Sequence, residues 1–312
     1  MKRLTLVVPI LLALCMMGVF SERPADGNSG YVGADTCKGC HEEYFNSFAE
    51  SVHGKKAVPG NPANKMACES CHGPGAAHAN AGGGKGVGGL ITFSSEKVPA
   101  ATKNASCLEC HGSSRSLSFW DMGQHKRNDV ACSSCHSGHQ AGGEKNLKAA
   151  QSQVCFACHK DIKRDANRLS HHPIIEGKVQ CSDCHNPHGA LSHGMIKADN
   201  VNQLCYKCHA DKRGPYLWEH PPVEENCMIC HNAHGTKAAK LLNEKVPNIC
   251  QDCHDWSRHP GTIYHAGNGF TGSSPSNRFF ARSCLNCHSN IHGSYAPVNP
   301  DNGYNSAKAF VR

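Results

Sequence analysis

The pattern Cys-x-x-Cys-His occurs ten times in this 312-residue chain and uses 20 of its 21 cysteines. On one helical turn, residues three and four apart share a face, so both thiols and the histidine can meet one flat cofactor. This is the attachment pattern of a c-type haem, whose porphyrin bonds both thiols and whose iron binds the histidine. The sequence therefore predicts ten haems c. Numbered motifs 1 to 10 in chain order, the copies have the cysteine pairs Cys37 and Cys40, Cys68 and Cys71, Cys107 and Cys110, Cys132 and Cys135, Cys155 and Cys158, Cys181 and Cys184, Cys205 and Cys208, Cys227 and Cys230, Cys250 and Cys253, and Cys284 and Cys287.

Other interpretations of a cysteine-rich chain explain this pattern less well. A disulfide framework does not require a histidine after every second cysteine. Zinc sites place their histidines at a separate spacing, and iron–sulfur clusters use thiolates without a systematic histidine. A thioredoxin-like motif occurs once, near a βαβ pattern that is absent here. The ten copies thus favour haem attachment.

The 23 histidines fall into two groups, those inside the motifs and those outside them. The motif histidines are the predicted proximal iron ligands: His41, His72, His111, His136, His159, His185, His209, His231, His254 and His288. Ten of the remaining 13 recur at matched places and are the predicted distal ligands: His53, His78, His125, His139, His172, His188, His220, His234, His259 and His292. This number supplies a sixth ligand for every iron.

The distal candidates follow two spacings. After an even-numbered motif the next histidine comes within three to six residues of the proximal one, and after most odd-numbered motifs it comes 11 to 14 residues later. A histidine three residues after a bound histidine cannot reach the opposite face of the same haem. The ten motifs form five consecutive pairs, each with an odd-numbered and an even-numbered member. His139, His188 and His234 are therefore expected to serve a neighbouring haem, the odd-numbered member of their own pair.

Three positions leave a choice or stand apart. After motif 5 the candidates are His171 and His172, and a following proline favours His172. After motif 9 a following proline favours His259, whereas the 11-residue spacing favours His265. His193 falls outside the repeat and is expected to bind no iron.

The ligand type also predicts the class of function. Methionine is the alternative distal ligand, but beyond the first twenty residues the chain has only Met66, Met122, Met195 and Met228. An iron bound by two histidines has no open position for a substrate, so the chain is predicted to be an electron-transfer protein and not an enzyme. A multihaem reductase would leave one iron without a distal ligand, and the 13 spare histidines argue against it.

The N-terminus predicts export. Lys2 and Arg3 precede an apolar run over residues 4–20, which is typical of a secretory signal. A signal peptide is expected over residues 1–21 and a mature cytochrome domain over 22–312. An uncleaved anchor is the alternative, since a run of this length lies at the short limit for a membrane span. Haem attachment outside the cytoplasm agrees with export and favours a periplasmic location.

Composition favours a fold built on cofactors. The segments between motifs are rich in glycine, proline, asparagine and serine, and no apolar periodicity runs longer than a turn or two. Aromatic residues make up only 6% of the chain, which is low for a packed core. The expected fold is an extended, mostly irregular multihaem cytochrome c, with short helices at the motifs packed around a line of ten haems. Five haem-pair repeats would cover about 31–296, before a polar C-terminal tail.

Charge gives no sign of nucleic-acid binding. The formal net charge is +7, but each oxidised haem with two ionised propionates adds about −1. Ten haems would outweigh this positive charge, so the lysines and arginines are interpreted as propionate partners and solvated surface.

Two short matches predict no function. Residues 82–86 (GGGKG) lack the Ser/Thr, strand and helix of a phosphate-binding loop and are interpreted as a flexible link. Residues 104–106 (NAS) match a glycosylation sequon, which is interpreted as chance.

Residues between the ligands carry a family resemblance. Residues 68–75 (CESCHGPG), 181–189 (CSDCHNPHG), 204–209 (LCYKCH) and 282–288 (RSCLNCH) give a motif order that resembles the periplasmic decahaem cytochromes of metal-reduction (MtrA-like) and DMSO-reduction (DmsE-like) systems. The resemblance implies an electron conduit inside an outer-membrane β-barrel porin. Its partners would be periplasmic cytochromes and an extracellular multihaem cytochrome or reductase, in extracellular respiration or in metal oxidation. The alternative is a soluble periplasmic electron shuttle or store.

Overall fold

The computed structural model describes residues 30–140, 144–254, 283–286 and 288–295, and its helices are short. The longest α-helix has 12 residues. None of the helices in these ranges has both the length and the apolar character needed to cross a lipid bilayer. The α-helices are α1 Ala34–Lys38, α2 Glu42–Glu50, α3 Glu69–His72, α4 Ala76–Asn80, α5 Ala100–His111, α6 Gln124–Arg127, α7 Cys132–Cys135, α8 Gln151–Phe156, α9 Lys160–Ala166, α10 Cys181–Cys184, α11 Val201–Cys205, α12 Pro221–Glu225 and α13 Asn248–Gln251.

The rest of the described chain consists of 3₁₀ turns, bends and irregular backbone. The 3₁₀ turns are Val52–Gly54, Pro62–Asn64, Val87–Gly89, Arg115–Leu117, Trp120–Met122, Glu144–Asn146, His193–Met195, Ala210–Lys212, Cys227–Ile229, Ala239–Leu241 and Cys284–Asn286. Strand pairing within the described ranges is limited to isolated antiparallel bridges: His136 with Leu147, Ser170 with Thr236, His185 with Ile196, Trp218 with Ser294, and His231 with Leu242. The predicted irregular fold with short helices is confirmed.

Local sequence explains why these helices stop early. Helix α3 ends at His72 because Gly73 takes a φ of 84°, a left-handed conformation that glycine adopts without steric cost. Helix α5 is longer because residues 100–111 contain no glycine or proline and begin with two alanines. A helix that only has to present two thiols and a histidine needs little more than one turn.

The apolar core of the described chain is small. Its buried apolar side chains are Trp120, Ala131, Ala166, Ile174 and Ala238. Full burial of a large apolar side chain contributes only about 1.5–3 kcal/mol, and three of these five residues are alanines. Ordering the backbone costs about 1–2 kcal/mol for each residue, so these side chains alone cannot hold the fold together.

Buried polar side chains tie neighbouring motifs together. The Asn104 side chain, on α5 before motif 3, accepts a hydrogen bond from the Cys132 N–H of motif 4 at 2.7 Å. It also donates to the Val130 carbonyl at 3.3 Å. The asparagine of the apparent sequon is therefore buried and holds motifs 3 and 4 together, a role that the sequence did not reveal.

The same connection recurs between later motifs. Asn202, also buried, accepts from the Cys227 N–H at 2.8 Å and so ties motif 7 to motif 8. Between motifs 5 and 6, the amide of Gln151 exchanges two hydrogen bonds with Ser182, each 2.8 or 2.9 Å long. Each odd-numbered motif in these cases is fastened to the even-numbered motif that follows it.

A buried carboxylate performs this task at the first pair. The side chain of Glu69, which follows the first cysteine of motif 2, is 3% exposed. It accepts backbone N–H bonds from Val32 at 3.0 Å, Gly33 at 2.9 Å and Gly75 at 2.8 Å. These bonds hold the segment that leads into motif 1 against motif 2.

Candidate haem-binding sites

Nine pairs of histidine rings in the described residues face each other at nearly constant distance. Each pair joins one motif histidine to one predicted distal histidine, with ring centres 5.9–6.3 Å apart. The pairs are His41 with His78, His72 with His139, His111 with His53, His136 with His188, His159 with His125, His185 with His234, His209 with His172, His231 with His292, and His254 with His220.

This distance fits one iron between the two rings. Two nitrogen–metal bonds of about 2 Å, with roughly 1 Å from each nitrogen to its ring centre, give a separation of about 6 Å. The angle between ring planes varies from 14° to 74° while the distance stays constant. Direct ring packing would favour particular angles, so the residues fit a haem iron better than they fit aromatic stacking.

The partners of three distal candidates differ from the sequence expectation. His139 faces His72 of motif 2, at 5.9 Å, instead of motif 3. The histidine of motif 3, His111, already faces His53 from the segment after motif 1. The expectation that His139 serves motif 3, the odd-numbered member of its own pair, is wrong. The position opposite His111 of motif 3 is occupied by His53, which comes earlier in the chain.

The same correction applies to the two equivalent histidines. His188 faces His136 of motif 4 at 6.0 Å, and His234 faces His185 of motif 6 at 6.1 Å. A histidine after an even-numbered motif therefore faces the even-numbered motif before it, whereas a histidine after an odd-numbered motif faces the next odd-numbered one. His78, near the start of the described chain, instead faces His41 within its own pair.

Motif 5 is followed by two histidines with different surroundings. His172 faces His209 of motif 7 at 6.2 Å. Nε2 of His171 lies 3.1 Å from the Glu176 carboxylate, whose hydrogen bond raises the pKa of His171. The structure therefore places His172 at the predicted site and His171 in an ion pair. His193 is exposed.

Part of motif 10 falls outside the described residues. Cys287 and both candidate distal histidines after motif 9, His259 and His265, lie there. The first cysteine of the motif, Cys284, and its histidine are described.

Backbone carbonyls fix the orientation of several proximal rings. The acceptor of the Nδ1–H lies nine residues later, at 2.8–2.9 Å, in the pairs His136 with Lys145, His185 with Gly194, and His231 with Lys240. Each acceptor residue has a left-handed φ, 51°, 66° and 59° respectively, which is uncommon for the two lysines. This turn aims the carbonyl at the ring. Such a bond fixes the tautomer of a metal-binding histidine and raises its basicity.

The first cysteines of paired motifs lie side by side. A hydrogen bond between the thiols of Cys107 and Cys132 raises the pKa of the former and lowers that of Cys132 to about 7. Cys155 and Cys181 of motifs 5 and 6 are arranged in the same way. Burial, followed by the neighbouring thiol, raises the pKa to about 11 at the first member of each remaining pair: Cys37 beside Cys68, Cys205 beside Cys227, and Cys250 beside Cys284.

The second cysteines connect successive pairs. In motifs 2, 4, 6 and 8, burial raises the pKa of the second cysteine thiol, and so does the adjacent second thiol of the next odd-numbered motif. These neighbours are Cys71 and Cys110, Cys135 and Cys158, Cys184 and Cys208, and Cys230 and Cys253. First-cysteine and second-cysteine contacts alternate along the chain, so the attachment points of motifs 1 to 10 form one continuous series.

Comparison with known proteins decides the family. The chain is 40% identical over 277 residues to the multihaem cytochrome MtrA of Shewanella baltica (strain OS185), covering 88% of this chain and 82% of that protein. This chain belongs to the MtrA family of multihaem c-type cytochromes. The doubled CXXCH motif family also matches at residues 171–214 and 220–259, and the NrfB-like family of c-type cytochrome proteins matches at residues 68–146.

Two other similar proteins match more weakly. The cytochrome c-type protein NrfB of Haemophilus influenzae is 27% identical over 173 residues, covering 53% of this chain and 70% of that protein. The C-type polyhaem cytochrome OmcB of Geobacter sulfurreducens is 25% identical over 242 residues, which is 71% of this chain but only 28% of that protein. Together with the motifs, the MtrA relationship confirms a multihaem c-type cytochrome that transfers electrons.

Proposed function

We propose that the chain binds ten haems c, each iron held between two histidines, and carries electrons along them in motif order. Haem n denotes the haem attached at motif n. When bound, each haem supplies an iron that alternates between the ferrous and ferric states. Nine opposed ring pairs support two-histidine ligation of haems 1 to 9.

The alternating thiol contacts are the observation that carries the proposed order. The Cys107 sulfur, which would bond haem 3, lies beside the Cys132 sulfur of haem 4. Cys135, the other attachment of haem 4, neighbours Cys158 of haem 5. Each haem in the series is thereby tethered beside its predecessor at one cysteine and beside its successor at the other. The ten haems would therefore form a single row of electron carriers in motif order.

The tenth haem requires a ligand from outside the described residues. At the start of the chain, His78 after motif 2 faces motif 1 within the same pair. By analogy, we place the histidine after motif 9, His259 or His265, opposite His288 of motif 10, so that the last pair of motifs also contains a ligand exchanged within the pair.

Two histidines on each iron leave no coordination position for a substrate, which supports a carrier and not a reductase. The similarity to NrfB-like proteins does not change this, because nine described ring pairs already account for nine irons. A multihaem reductase would have to expose an iron at motif 10.

We further propose that the chain is exported and crosses the outer membrane inside a β-barrel porin. The signal-like sequence over residues 1–21 and the resemblance to MtrA-like conduits support this location. The described backbone is mostly irregular, and irregular backbone is not tolerated in lipid unless protein surrounds it. Periplasmic cytochromes on one side and an extracellular multihaem cytochrome or reductase on the other would be its partners.

Reconstitution tests this proposal. Liposomes that hold the purified porin–cytochrome complex and an internal redox dye are expected to pass electrons from an external reductant to the dye. Liposomes with the porin alone or the cytochrome alone are the controls and should not. Equal dye reduction without the porin would contradict the conduit. So would isolation of the cytochrome as a porin-free periplasmic monomer whose deletion leaves extracellular electron transfer intact, and the soluble shuttle would then stand.

A further inference from the structure

The short turn after motif 6 contacts three consecutive haem sites. His185 is the proximal histidine of the motif, and His188, three residues later, faces His136 at haem 4. Between them, the Pro187 carbonyl accepts a hydrogen bond from Nδ1 of His125 at 2.7 Å. His125 is the distal histidine opposite the motif 5 ring. One four-residue segment therefore reaches the sites of haems 6, 5 and 4.

The same order of contacts recurs after motif 8. There the carbonyl of Ala233, the residue before His234, accepts from Nδ1 of His172, the distal histidine of haem 7, at 2.6 Å. After motifs 4 and 10 the residue before the distal histidine also lies beside the distal histidine of the intervening odd-numbered haem, in the pairs Gly138 with His53 and Ile291 with His220.

A polar side chain sets the shape of each turn. The residue directly after the proximal histidine is Ser137, Asn186 or Asn232 in motifs 4, 6 and 8. Its side-chain oxygen accepts from the backbone N–H of the distal histidine two residues on, at 3.4, 3.2 and 3.0 Å respectively. Serine and asparagine favour such side-chain-closed turns. Asn186 also donates to the Gly189 carbonyl at 2.6 Å, which closes the turn from the other side.

Neighbouring backbone holds in place the two distal histidines that meet at the turn after motif 8, His172 of haem 7 and His234 of haem 6. Ser170 and Thr236 form an antiparallel bridge with N–H to carbonyl distances of 3.2 and 2.8 Å. Ser170 lies two residues before His172, and the buried Thr236 lies two residues after His234. The bridge fixes the approach of one chain segment to the other, and the turn residue then directs the distal ring.

We propose that the residue directly after the proximal histidine of motifs 4, 6 and 8 is a positioning residue for the haem two motifs earlier. Asn186 would hold the distal ligand of haem 4, His188, through the N–H of that residue. It would leave the ligands of haem 6, the haem of its own motif, unchanged. The proposal rests on the two-histidine ligation proposed above.

Three variants of the full-length, haem-loaded protein test the role of Asn186. Asn186→Ala is expected to shift part of haem 4 to high spin in the oxidised protein, a signal smaller than the one haem in ten that His188→Ala would convert. Asn186→Ser is the matched control and should stay low-spin, since Ser137 does the same task at motif 4. Fully low-spin Asn186→Ala protein with wild-type reduction potentials would overturn the proposal.

A double variant identifies the affected haem. If Asn186 acts on haem 4, the high-spin signal of Asn186→Ala with His188→Ala should not exceed that of His188→Ala alone, because both changes act on one iron. A larger, additive signal would place the effect at haem 6 or elsewhere and refute the proposal. If His188→Ala itself stays low-spin, the ligation proposal fails instead, which is a separate result. Should Asn186→Ala not assemble, Asn232→Ala provides the same comparison at haem 6.

Discussion

The His188→Ala variant is expected to contain one high-spin haem, the one attached at Cys132 and Cys135. The His188 ring lies 6.0 Å from His136 of that motif, at a separation that fits one iron. Alanine cannot bind iron, so haem 4 would lose its sixth ligand while the other haems stay low-spin. Electron paramagnetic resonance and resonance Raman spectra of the oxidised protein would measure the change. His193→Ala is the matched control, because His193 is exposed and outside the repeat.

A second substitution tests whether His188 and His125 bind different irons. His125 faces His159 of motif 5 and His188 faces His136 of motif 4, so His188→Ala combined with His125→Ala should give two high-spin haems. A single high-spin haem in the double variant would show that both changes act on one iron, and would contradict the partners that the structure assigns.

The chain without haem is expected to be unfolded. The described residues bury only five apolar side chains, three of them alanines, against a backbone entropy cost of about 1–2 kcal/mol for each ordered residue. The attached haems would supply the missing apolar contacts and covalent constraints, as in other proteins that fold around a metal group. Chain produced in cells without haem-attachment machinery should show a disordered far-ultraviolet circular dichroism spectrum and rapid proteolysis.

The haem-loaded protein, prepared and purified in the same way, is the control for that experiment. A cooperative thermal transition in the haem-free chain would show that its polypeptide contacts suffice. The buried connections at Glu69, Asn104 and Asn202 would then contribute more to stability than their small number indicates.

The sequence predicted the chemistry of the sites better than their connections. The motif spacing identifies the attachment cysteines because one helical turn must present them together. Repetition also identified the distal candidates, and nine of them face a motif histidine. Spacing along the chain could not give the partners of His139, His188 and His234, because each crosses to a motif that is two positions earlier.

Residues that shape the backbone were the hardest to recognise. Asn104 lies in an apparent sequon, and only its buried hydrogen bonds to motif 4 reveal its structural role. Asn186 resembles any polar loop residue until its contact with the His188 N–H is seen. The repeated order of proximal histidine, Asn or Ser, any residue, and distal histidine was the available signal. It is shared by motifs 4, 6 and 8.

The haem content and spin state of the wild-type protein test the central claim most directly. Pyridine haemochrome absorbance, normalised to protein by amino-acid analysis, should give ten haems per chain, one for each motif. Electron paramagnetic resonance of the same oxidised sample should show low-spin iron only, because two histidines bind every iron. A haem content well below ten, or an appreciable high-spin signal in this unmodified protein, would contradict the proposed ligation.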